Sequence, residues 1–350
     1  MKRVIMIGPA PSAKGGIATV IGILLRHGYA AHGDCEFVPT HVSGSTARKA
    51  LTAARALLRV SWLLLSGQAG LLHAHVASDA SFWRKALFIR LAQLCGCPVI
   101  FHLHSGEFRV FLHQRMSPRQ RRFALDLMRR STCALVLSDD ATRLLQQEVG
   151  VARVELLPNP IPVAVTQPRA PSADVLFLGR LDTKKGVYDL LRAFATVKAQ
   201  VPGARLILAG EGEVPQVQAL AAQLGVLDAL VLPGWVGEEQ RAALLATAGV
   251  FVLPSHFEQM PMVVLEAMVA GTPVVATSVG GVPRMLVDGA CGHLVAVGDE
   301  AGLAAAIIGV LTDAPQADAM AARARSRVVE EYAADVVLAR LRARYAELKR

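Results

Sequence analysis

Short apolar runs alternate with longer amphipathic stretches from one end of this 350-residue sequence to the other. Ten of the runs are predicted as strands, at 4–7, 36–42, 70–75, 99–104, 134–138, 174–178, 205–209, 230–232, 250–253 and 273–276. Segments between them, such as 46–65, 81–94 and 118–130, have the apolar spacing of helices. Buried strands that alternate with amphipathic helices indicate parallel sheets with crossover helices, so we predict an α/β protein.

Proline marks the boundary between two such series. The run Pro158-Asn159-Pro160-Ile161-Pro162 is followed by Pro168 and Pro171, and proline continues neither a helix nor a central strand. We place the linker at about 158–173. The prediction is therefore two Rossmann-like, doubly wound domains at 1–165 and 166–332 that face each other across a cleft, followed by a C-terminal helix at 333–350. Ligands of such sheets bind beyond the C-terminal ends of the strands.

The formal charge of +9 is concentrated in the first half of the sequence. Residues 1–168 contain 20 Lys and Arg against 9 Asp and Glu, whereas residues 169–350 contain 17 against 19. The first half is therefore expected to meet an anionic partner: a phospholipid surface, a lipid-linked diphosphate or nucleic acid. A hydrophobic fraction of 53% with 19% charged residues excludes a disordered chain.

Neither a disulfide framework nor a membrane span is predicted. The five cysteines are scattered, and Cys95-Gly96-Cys97 has neither zinc-ribbon nor CxxC redox spacing. The most apolar stretch, at 51–72, is interrupted by two arginines and two glycines, so no run reaches the roughly 18 apolar residues of a spanning helix. We expect a cytoplasmic protein, either free or peripheral on the inner face of the membrane.

A glycine pair follows the first predicted strand. Gly15-Gly16 would place bare backbone amides at the start of a helix, where they could cradle a phosphate. The surrounding sequence is neither GxGxxG nor GxxxxGK[ST], which disfavours nicotinamide dinucleotides and Walker-type ATP chemistry. A plain strand-to-helix turn is the alternative.

Two cations follow the predicted strand at 174–178. Arg180 and Lys185 lie five residues apart on the loop that leaves this strand, so both can reach one diphosphate. Arginine would bind phosphate oxygens with its planar fork, and lysine would act as a point charge. The alternative is a solvated loop.

Two glutamates flank the start of a later helix. Glu258 lies in the turn before that helix, and Glu266 lies within it, beside Met262, Leu265 and Met268. A carboxylate among apolar neighbours requires groups that satisfy its oxygens, and the vicinal hydroxyls of a ribose or hexose would do so. Two surface glutamates on an amphipathic helix are the alternative.

The run at 254–283, PSHFEQMPMVVLEAMVAGTPVVATSVGGVP, resembles the signature of glycosyltransferase family 4, whose members are retaining enzymes with the GT-B fold. Its E-x7-E element corresponds to Glu258 and Glu266. Motifs around it occur in the family's order: Gly179-Arg180, Lys185-Gly186, Ala209-Gly210-Glu211-Gly212 and Leu232-Pro233-Gly234. The sequence departs from the family at Gln259-Met260-Pro261 and at Arg284, near the donor sugar, and at Pro160.

The resemblance implies a role for each matching residue. The second domain would bind a nucleotide sugar and the first an acceptor. Arg180 and Lys185 would neutralise the diphosphate, Glu258 would hold sugar hydroxyls, and Glu266 would hold ribose hydroxyls. His104 would lie near the anomeric centre. The rest of the donor site would be formed by Gly15, Gly16, Met260, Pro261 and Met262.

Histidines are concentrated in the first half and include two pairs at strand ends. His73 and His75 form one pair and His102 and His104 the other, and residues i and i+2 share a face of a strand. A metal site is conceivable there, but almost no carboxylate lies near these histidines, and the resemblance implies donor binding without a metal. We therefore predict no metal and no cofactor besides the donor substrate.

The segment at 109–130 contains seven arginines and one acidic residue, with apolar residues between them. Such a segment is typical of a contact with an anionic membrane surface, and a solvated helix face is the alternative. No nucleic-acid motif accompanies the positive charge, so a nucleic-acid partner is not expected.

Taken with the resemblance, these features predict a retaining hexosyltransferase. It would move a sugar from a nucleotide-diphosphate donor to a lipid-linked or membrane-proximal glycan acceptor, in polysaccharide or glycoconjugate biosynthesis. Two alternatives are another GT-B enzyme, such as a sugar-nucleotide epimerase, and a non-catalytic nucleotide-sugar-binding protein. The nucleotide, the sugar and the acceptor are not specified by the sequence.

Overall fold

A computed structural model describes residues 2–31, 33–163 and 172–349. The chain forms two compact units, one made of Met1–Pro162 with Tyr332–Arg350 and the other of Val163–Glu331. Residues 164–171 of the predicted linker, with Pro168 and Pro171, lie outside the described residues. The last helix, which the sequence analysis assigned to neither domain, belongs to the first unit.

The first unit contains a six-stranded parallel sheet in the order β2-β1-β3-β4-β5-β6. Its strands are β1 (Arg3–Pro9), β2 (Cys35–His41), β3 (Ala69–Val76), β4 (Val99–Leu103), β5 (Cys133–Val136) and β6 (Val154–Leu156). Its first helices are α1 (Gly16–Arg26), α2 (Thr46–Leu65), α3 (Ala80–Leu94), α4 (Phe108–Val110), α5 (Pro118–Arg129) and α6 (Asp139–Arg143). The central strands are buried almost completely, because crossover helices pack on the sheet.

The second unit repeats this architecture with the strand order β12-β11-β10-β7-β8-β9, again parallel. Its strands are β7 (Asp174–Leu178), β8 (Arg205–Ala209), β9 (Leu230–Val231), β10 (Val250–Leu253), β11 (Val274–Thr277) and β12 (His293–Val295). Its helices are α7 (Val187–Gln200), α8 (Val214–Gln223), α9 (Glu238–Thr247), α10 (Met262–Ala270), α11 (Val282–Met285), α12 (Glu300–Thr312) and α13 (Ala314–Arg327). The predicted pair of doubly wound parallel sheets is confirmed.

Two strands were not predicted, and both are edge strands. β6 and β12 have three residues each, and all six residues are only partly buried. A short, half-exposed edge strand has no continuous apolar run, so the pattern that revealed the central strands does not reveal these two.

The chain ends in α14 (Ala334–Leu348), which packs on the first unit. Ile161 pairs with Ala333 just before this helix, through hydrogen bonds of 2.9 Å from Ile161 N to the Tyr332 carbonyl and from Ala334 N to the Ile161 carbonyl. Tyr345 of α14 is buried beneath the sheet. The last helix is therefore an integral part of the first unit.

The basic segment at 109–130 is interrupted. After α4 comes a short π-helical turn, Phe111–Arg115, and α5 begins only at Pro118. Ser117 caps α5 by accepting from the amide of Gln120, whose side chain in turn accepts from the Ser117 amide. Within the described ranges, no helix has both the length and the apolarity to cross a bilayer.

Candidate functional site

The strand order of the second sheet reverses between β7 and β10, and the predicted donor residues follow these two strands. Arg180 follows β7, and Ser255 and Glu258 follow β10. In open α/β sheets such a reversal leaves a crevice at the C-terminal strand ends, where ligands bind. The fold of the second unit therefore brings the loop that carries Arg180 and the turn that carries Glu258 to the same edge of the sheet.

Asp182 organises the loop after β7. Its Oδ1 accepts from the backbone N–H of Lys185 at 3.0 Å, which caps the 3₁₀ turn Thr183–Lys185, and its Oδ2 accepts from Arg180 Nε at 3.1 Å. The Arg180 side chain is 74% exposed, so its guanidinium remains largely accessible to solvent. The loop thus carries one exposed cation, Arg180, and one cation held by Glu258, Lys185.

Lys185 contacts Glu258 directly. The distance from Lys185 Nζ to Glu258 Oε1 is 2.5 Å, and Ser255 Oγ donates to the same oxygen at 2.9 Å. The Glu258 side chain is only 10% exposed. A cation predicted for the diphosphate and a carboxylate predicted for the sugar therefore meet, although 73 residues separate them in the sequence.

Two glycines allow the loops of this site to approach each other closely. Gly186 has a φ of +71° and Gly280 a φ of +56°, a region that favours glycine. A Cβ on Gly186 would lie 1.9 Å from the Pro254 carbonyl oxygen, and one on Gly280 would lie 2.0 Å from the Glu258 carbonyl oxygen. The turns that carry Lys185 and Glu258 are therefore packed backbone to backbone.

Glu266 lies within α10 in a largely buried position. Burial raises the pKa of its carboxyl to about 7, although Arg241 opposes this shift. Arg241 Nε is 2.8 Å from Glu266 Oε2 but is not aligned for a hydrogen bond, so this oxygen lacks a hydrogen-bond partner. The predicted apolar surroundings are confirmed, because Leu265 and Met268 are fully buried. A carboxyl oxygen in this state can accept a bond from a hydroxyl group.

Three of the predicted donor-site residues form the entry to α10. Met260 and Met262 are buried, and Pro261 precedes the first helical residue. The Gln259 carbonyl accepts from the Gly281 amide at 2.6 Å, which ties this entry to the loop after β11. The buried side chains fix the course of the backbone here.

The sequence analysis missed a polar pair beside the site. His256 Nε2 lies 2.7 Å from Asp189 Oδ2 on α7, and the His256 amide donates to the Lys184 carbonyl at 2.9 Å. Arg241, next to Glu266, was also missed. The position of His256, two residues before Glu258, could have indicated that it lies beside the site. Asp189 and Arg241 lie on helices whose sequence contains no motif.

In the first unit, Gly15 and Gly16 lie at the N-terminus of α1, as predicted. Gly15 precedes the helix with a φ of +127°, and Gly16 is its first residue. Both are exposed, and apart from their chain neighbours and the backbone of α1 no described atom lies within 4 Å of where a Cβ would be on either residue. Open space at a helix N-terminus is compatible with an approaching phosphate, and this role stays a prediction.

His104 follows β4 and is held from two sides. Its backbone N–H donates to the Val76 carbonyl at 2.8 Å, and its ring Nε2 lies 2.8 Å from Nδ1 of His75 on β3. Burial, together with the charge of Lys85, lowers the pKa of His104 to about 3. The predicted placement of the two histidine pairs on neighbouring strands is confirmed, since His75 lies opposite His102 in the sheet.

The same histidines form a compact group of potential metal ligands. One ring nitrogen each of His73, His75 and His102 lies within 4.8 Å of the others, and all three side chains are buried. His73 Nε2 is already 3.1 Å from His102 Nδ1, and His73 Nδ1 is 2.6 Å from the Tyr345 hydroxyl. A metal would have to displace these hydrogen bonds, and the expectation of a metal-free protein stays a prediction.

Several arginines of the basic segment are engaged within the protein. Arg109 pairs with Glu148 and with Asp140, the latter at 3.2 Å, and Arg115 lies 3.1 Å from Asp79. By contrast, Arg119 and Arg122 are exposed. The charge available to an external partner is therefore smaller than the sequence count indicates.

Two family models match this chain. That of the glycosyl transferases group 1 matches residues 164–327, and that of glycosyltransferase family 4 matches residues 22–165. The chain is 32% identical to a glycogen synthase of Mycobacterium tuberculosis over 301 residues, which are 78% of this chain and 72% of that protein. It is 31% identical to a phosphatidyl-myo-inositol mannosyltransferase of Mycolicibacterium smegmatis over 302 residues, which are 83% of this chain and 74% of that protein.

Among solved structures, the fold is similar to that of HepE from Anabaena in complex with UDP and glucose. The TM-score is 0.77 at 16% sequence identity, and the superposition covers 99% of this chain and 100% of that chain.

Proposed function

This chain belongs to the glycosyl transferases of group 1 and family 4, and from that premise we propose that it transfers a hexose from a nucleotide-diphosphate sugar with retention of anomeric configuration. The contact between Lys185 and Glu258 at the switch point of the second sheet carries this proposal. It joins a cation suited to a phosphate with a carboxylate suited to hydroxyl groups, as a sugar diphosphate requires.

Each side chain of the donor site has a role in binding. Arg180 and Lys185 bind the diphosphate, and the apolar entry formed by Met260, Pro261 and Met262 fixes the backbone beside it. Glu266 accepts hydrogen bonds from the ribose hydroxyls, because its buried Oε2 is close to Arg241 but accepts no hydrogen bond within the described residues. Glu258 accepts from hydroxyls of the hexose, and Ser255 holds its carboxylate in place.

We propose a same-face substitution for the chemical step. The bond between the anomeric carbon and the diphosphate oxygen breaks, the acceptor oxygen forms its bond on the same face, and the acceptor proton moves to the departing phosphate. Arg180 and Lys185 stabilise the charge that develops on that phosphate, so catalysis is mainly electrostatic and positional. A double displacement would need a carboxylate nucleophile, and both glutamates are assigned to hydroxyl groups.

No metal or other cofactor is required by this proposal. Two cationic side chains supply the positive charge at the diphosphate, and the leaving phosphate accepts the proton. Gly15 and Gly16 of the first unit offer backbone amides to an anionic group, and His104 of the same unit offers a ring nitrogen to a sugar hydroxyl.

The acceptor that we propose is a glycan or lipid-linked glycan near a membrane. Two relatives support this class by name, one a glycogen synthase and the other a phosphatidyl-myo-inositol mannosyltransferase. The chain would accordingly act in polysaccharide or glycoconjugate biosynthesis.

An exposed apolar stripe on α2 supports docking on an anionic membrane. Spacings of seven, four and three residues put its members on one side of the helix, where each is 50% exposed or more: Leu51, Leu58, Trp62 and Leu65. Residues 37–106 contain seven Lys and Arg and one acidic residue, Asp79. Arg59 of this helix is paired with Glu36, whereas Arg48, Lys49 and Arg55 are exposed, so positive charge that can face an anionic lipid surface lies beside the apolar stripe.

The basic segment at 109–130 would add to this surface. α3 contacts both α2 and α5, so the three helices are neighbours in one layer, and Arg119 and Arg122 of α5 are exposed. In this part of the proposal, the protein is a cytoplasmic enzyme that binds peripherally to the inner face of the membrane.

A donor screen tests the proposed function. We expect one class of UDP-, GDP- or ADP-sugar to raise the melting temperature and to be hydrolysed slowly without acceptor. Turnover of the donor to an epimer, or binding without any turnover, would contradict the proposal and favour an epimerase or a binding protein.

A further inference from the structure

We propose that His75 is a positioning residue for His104, which it holds in the tautomer that carries its proton on Nδ1. This inference rests on the proposed function only in giving His104 its role at the transferred sugar. The observation behind it is the ring-to-ring contact of 2.8 Å between His75 Nδ1 and His104 Nε2.

The sheet itself determines this contact. His75 lies opposite His102 in the pairing of β3 with β4, and His104 comes two residues further along. The backbone of His104 is fixed by its bond to the Val76 carbonyl, so the ring is held by one backbone and one side-chain bond. Since Nε2 is occupied by His75, Nδ1 is the ring nitrogen of His104 that remains for another partner.

Burial disfavours the charged form of both rings of the pair. Burial lowers the pKa of His75 well below its usual value, and burial with the charge of Lys85 lowers that of His104 to about 3. A neutral imidazole has one N–H and one unprotonated nitrogen, so one ring of the pair must donate and the other accept.

The buried environment of His75 selects the direction of this bond. Nε2 of His75 is buried and has no hydrogen-bond partner among the residues that the structure describes. If His75 accepted at Nδ1, it would carry its proton on Nε2, as a buried and unpaired N–H, which is rare in proteins. We therefore assign Nδ1–H of His75 as the donor. His104 then accepts at Nε2, and its own proton is on Nδ1, where it can be donated to an oxygen of the substrate.

A second histidine pair supports the first. His73 and His102 are bonded to each other, and Tyr345 of α14 anchors His73 through its hydroxyl. The ring centroids are 4.4 Å apart between His73 and His75 and 4.1 Å apart between His102 and His104. The four rings therefore form one packed block, and His104 is the member at its edge.

Three variants test this assignment. His75→Leu removes the bond, and we expect kcat to fall by about 10- to 100-fold, by analogy with the loss of the hydrogen-bond partner of a metal-bound histidine, with little change in the KM for the donor. His75→Asn places a polar atom where Nδ1 was, and it should recover most of the rate. Ser131→Ala is the control, because it removes a buried side-chain hydrogen bond of the same unit, from Ser131 Oγ to the Leu127 carbonyl, outside the histidine block, and it should leave kcat unchanged.

The tautomer can also be measured without any activity. In protein labelled with ¹⁵N-histidine, we expect the Nδ1 of His104 to be protonated in the wild type and to exchange between tautomers in His75→Leu. A His104 proton on Nε2 would overturn the proposal, as would a stoichiometric metal bound to the three buried histidines. Equal kcat in wild type and both His75 variants would overturn it too. Absence of sugar transfer by the wild type, with the tautomer as assigned, would instead contradict the proposed function.

Discussion

Lys185 Nζ lies 2.5 Å from Glu258 Oε1, so the cation and the carboxylate proposed for the two halves of one donor neutralise each other directly. Removing Lys185 leaves the Glu258 carboxylate, which is only 10% exposed, without its cation, and this is more costly than losing an exposed pair. Arg180 is different, because it is 74% exposed and its partner Asp182 lies on the same loop.

We predict that Lys185→Ala weakens nucleoside diphosphate binding more than Arg180→Ala does. A charge-assisted hydrogen bond contributes about 1.5–3 kcal/mol, so we expect a loss of roughly tenfold to a hundredfold in affinity for Lys185→Ala. Titration calorimetry with UDP, GDP and ADP measures this difference. Arg205→Ala is the control, because Arg205 pairs with Asp174 at the start of β7, the strand end opposite the Arg180 loop. Unchanged affinity in both variants would remove the diphosphate assignment.

Glu266 makes nucleoside binding dependent on pH. Its carboxyl has a pKa raised to about 7, and the ionised form is the better acceptor for ribose hydroxyls. We therefore predict that a nucleoside without phosphate binds more tightly as the pH rises from 6 to 8. Glu266→Gln should bind more weakly and lose this dependence. A wild-type affinity that is constant over the same range would contradict the role of Glu266.

The same group affects stability in the opposite direction. Because the pKa of Glu266 is raised in the folded state, folding is favoured most at pH values below the ordinary value of 4.5, and this contribution is lost as the pH rises through about 7. As the pH rises from 4.5 to about 7, the melting temperature of the wild type should fall relative to that of Glu266→Gln. Calorimetric melting of both proteins without ligand checks this, and parallel pH profiles would show that Glu266 does not titrate as assigned.

How much of this site could be predicted from the sequence differs from residue to residue. Glu258 and Glu266 were found because their spacing and apolar surroundings are local features of the chain. The contact of Glu258 with Lys185 was not, because it joins residues 73 positions apart. Asp189 and Arg241 were missed for the same reason: each reaches the site from a helix whose sequence carries no motif.

In the fold, too, features encoded locally were predicted, whereas features that depend on distant contacts were not. The GT-B class inferred from the resemblance is confirmed, and the central strands were predicted because they are continuous apolar runs. The edge strands β6 and β12 were missed because they are short and half-exposed. The packing of α14 on the first unit depends on distant partners of Tyr345 and Ile161, which no local pattern indicates.

The stripe on α2 predicts binding to anionic vesicles. Leu58→Glu and Trp62→Glu place negative charge on the exposed stripe, so each should reduce co-sedimentation with anionic vesicles at low salt. Leu227→Glu, a comparable exposed leucine of the second unit, is the control and should bind as the wild type does.

Arg119 and Arg122 are expected to contribute a salt-sensitive part of the same affinity. Of the other arginines of the segment at 109–130, Arg115 is paired with Asp79 and Arg121 is only partly exposed, so we expect smaller effects from these two. Equal binding of the wild type to neutral and anionic vesicles would contradict docking by this surface.

The stereochemistry of transfer tests the central claim most directly. Once the donor and an acceptor have been identified, the anomeric configuration of the first product can be read from its proton and carbon NMR spectra before any mutarotation. We predict retention, so that an α-linked donor gives an α-glycoside, because the departing phosphate held by Arg180 and Lys185 accepts the proton on the face where the acceptor attacks. A β-glycoside from an α-linked donor would contradict the account.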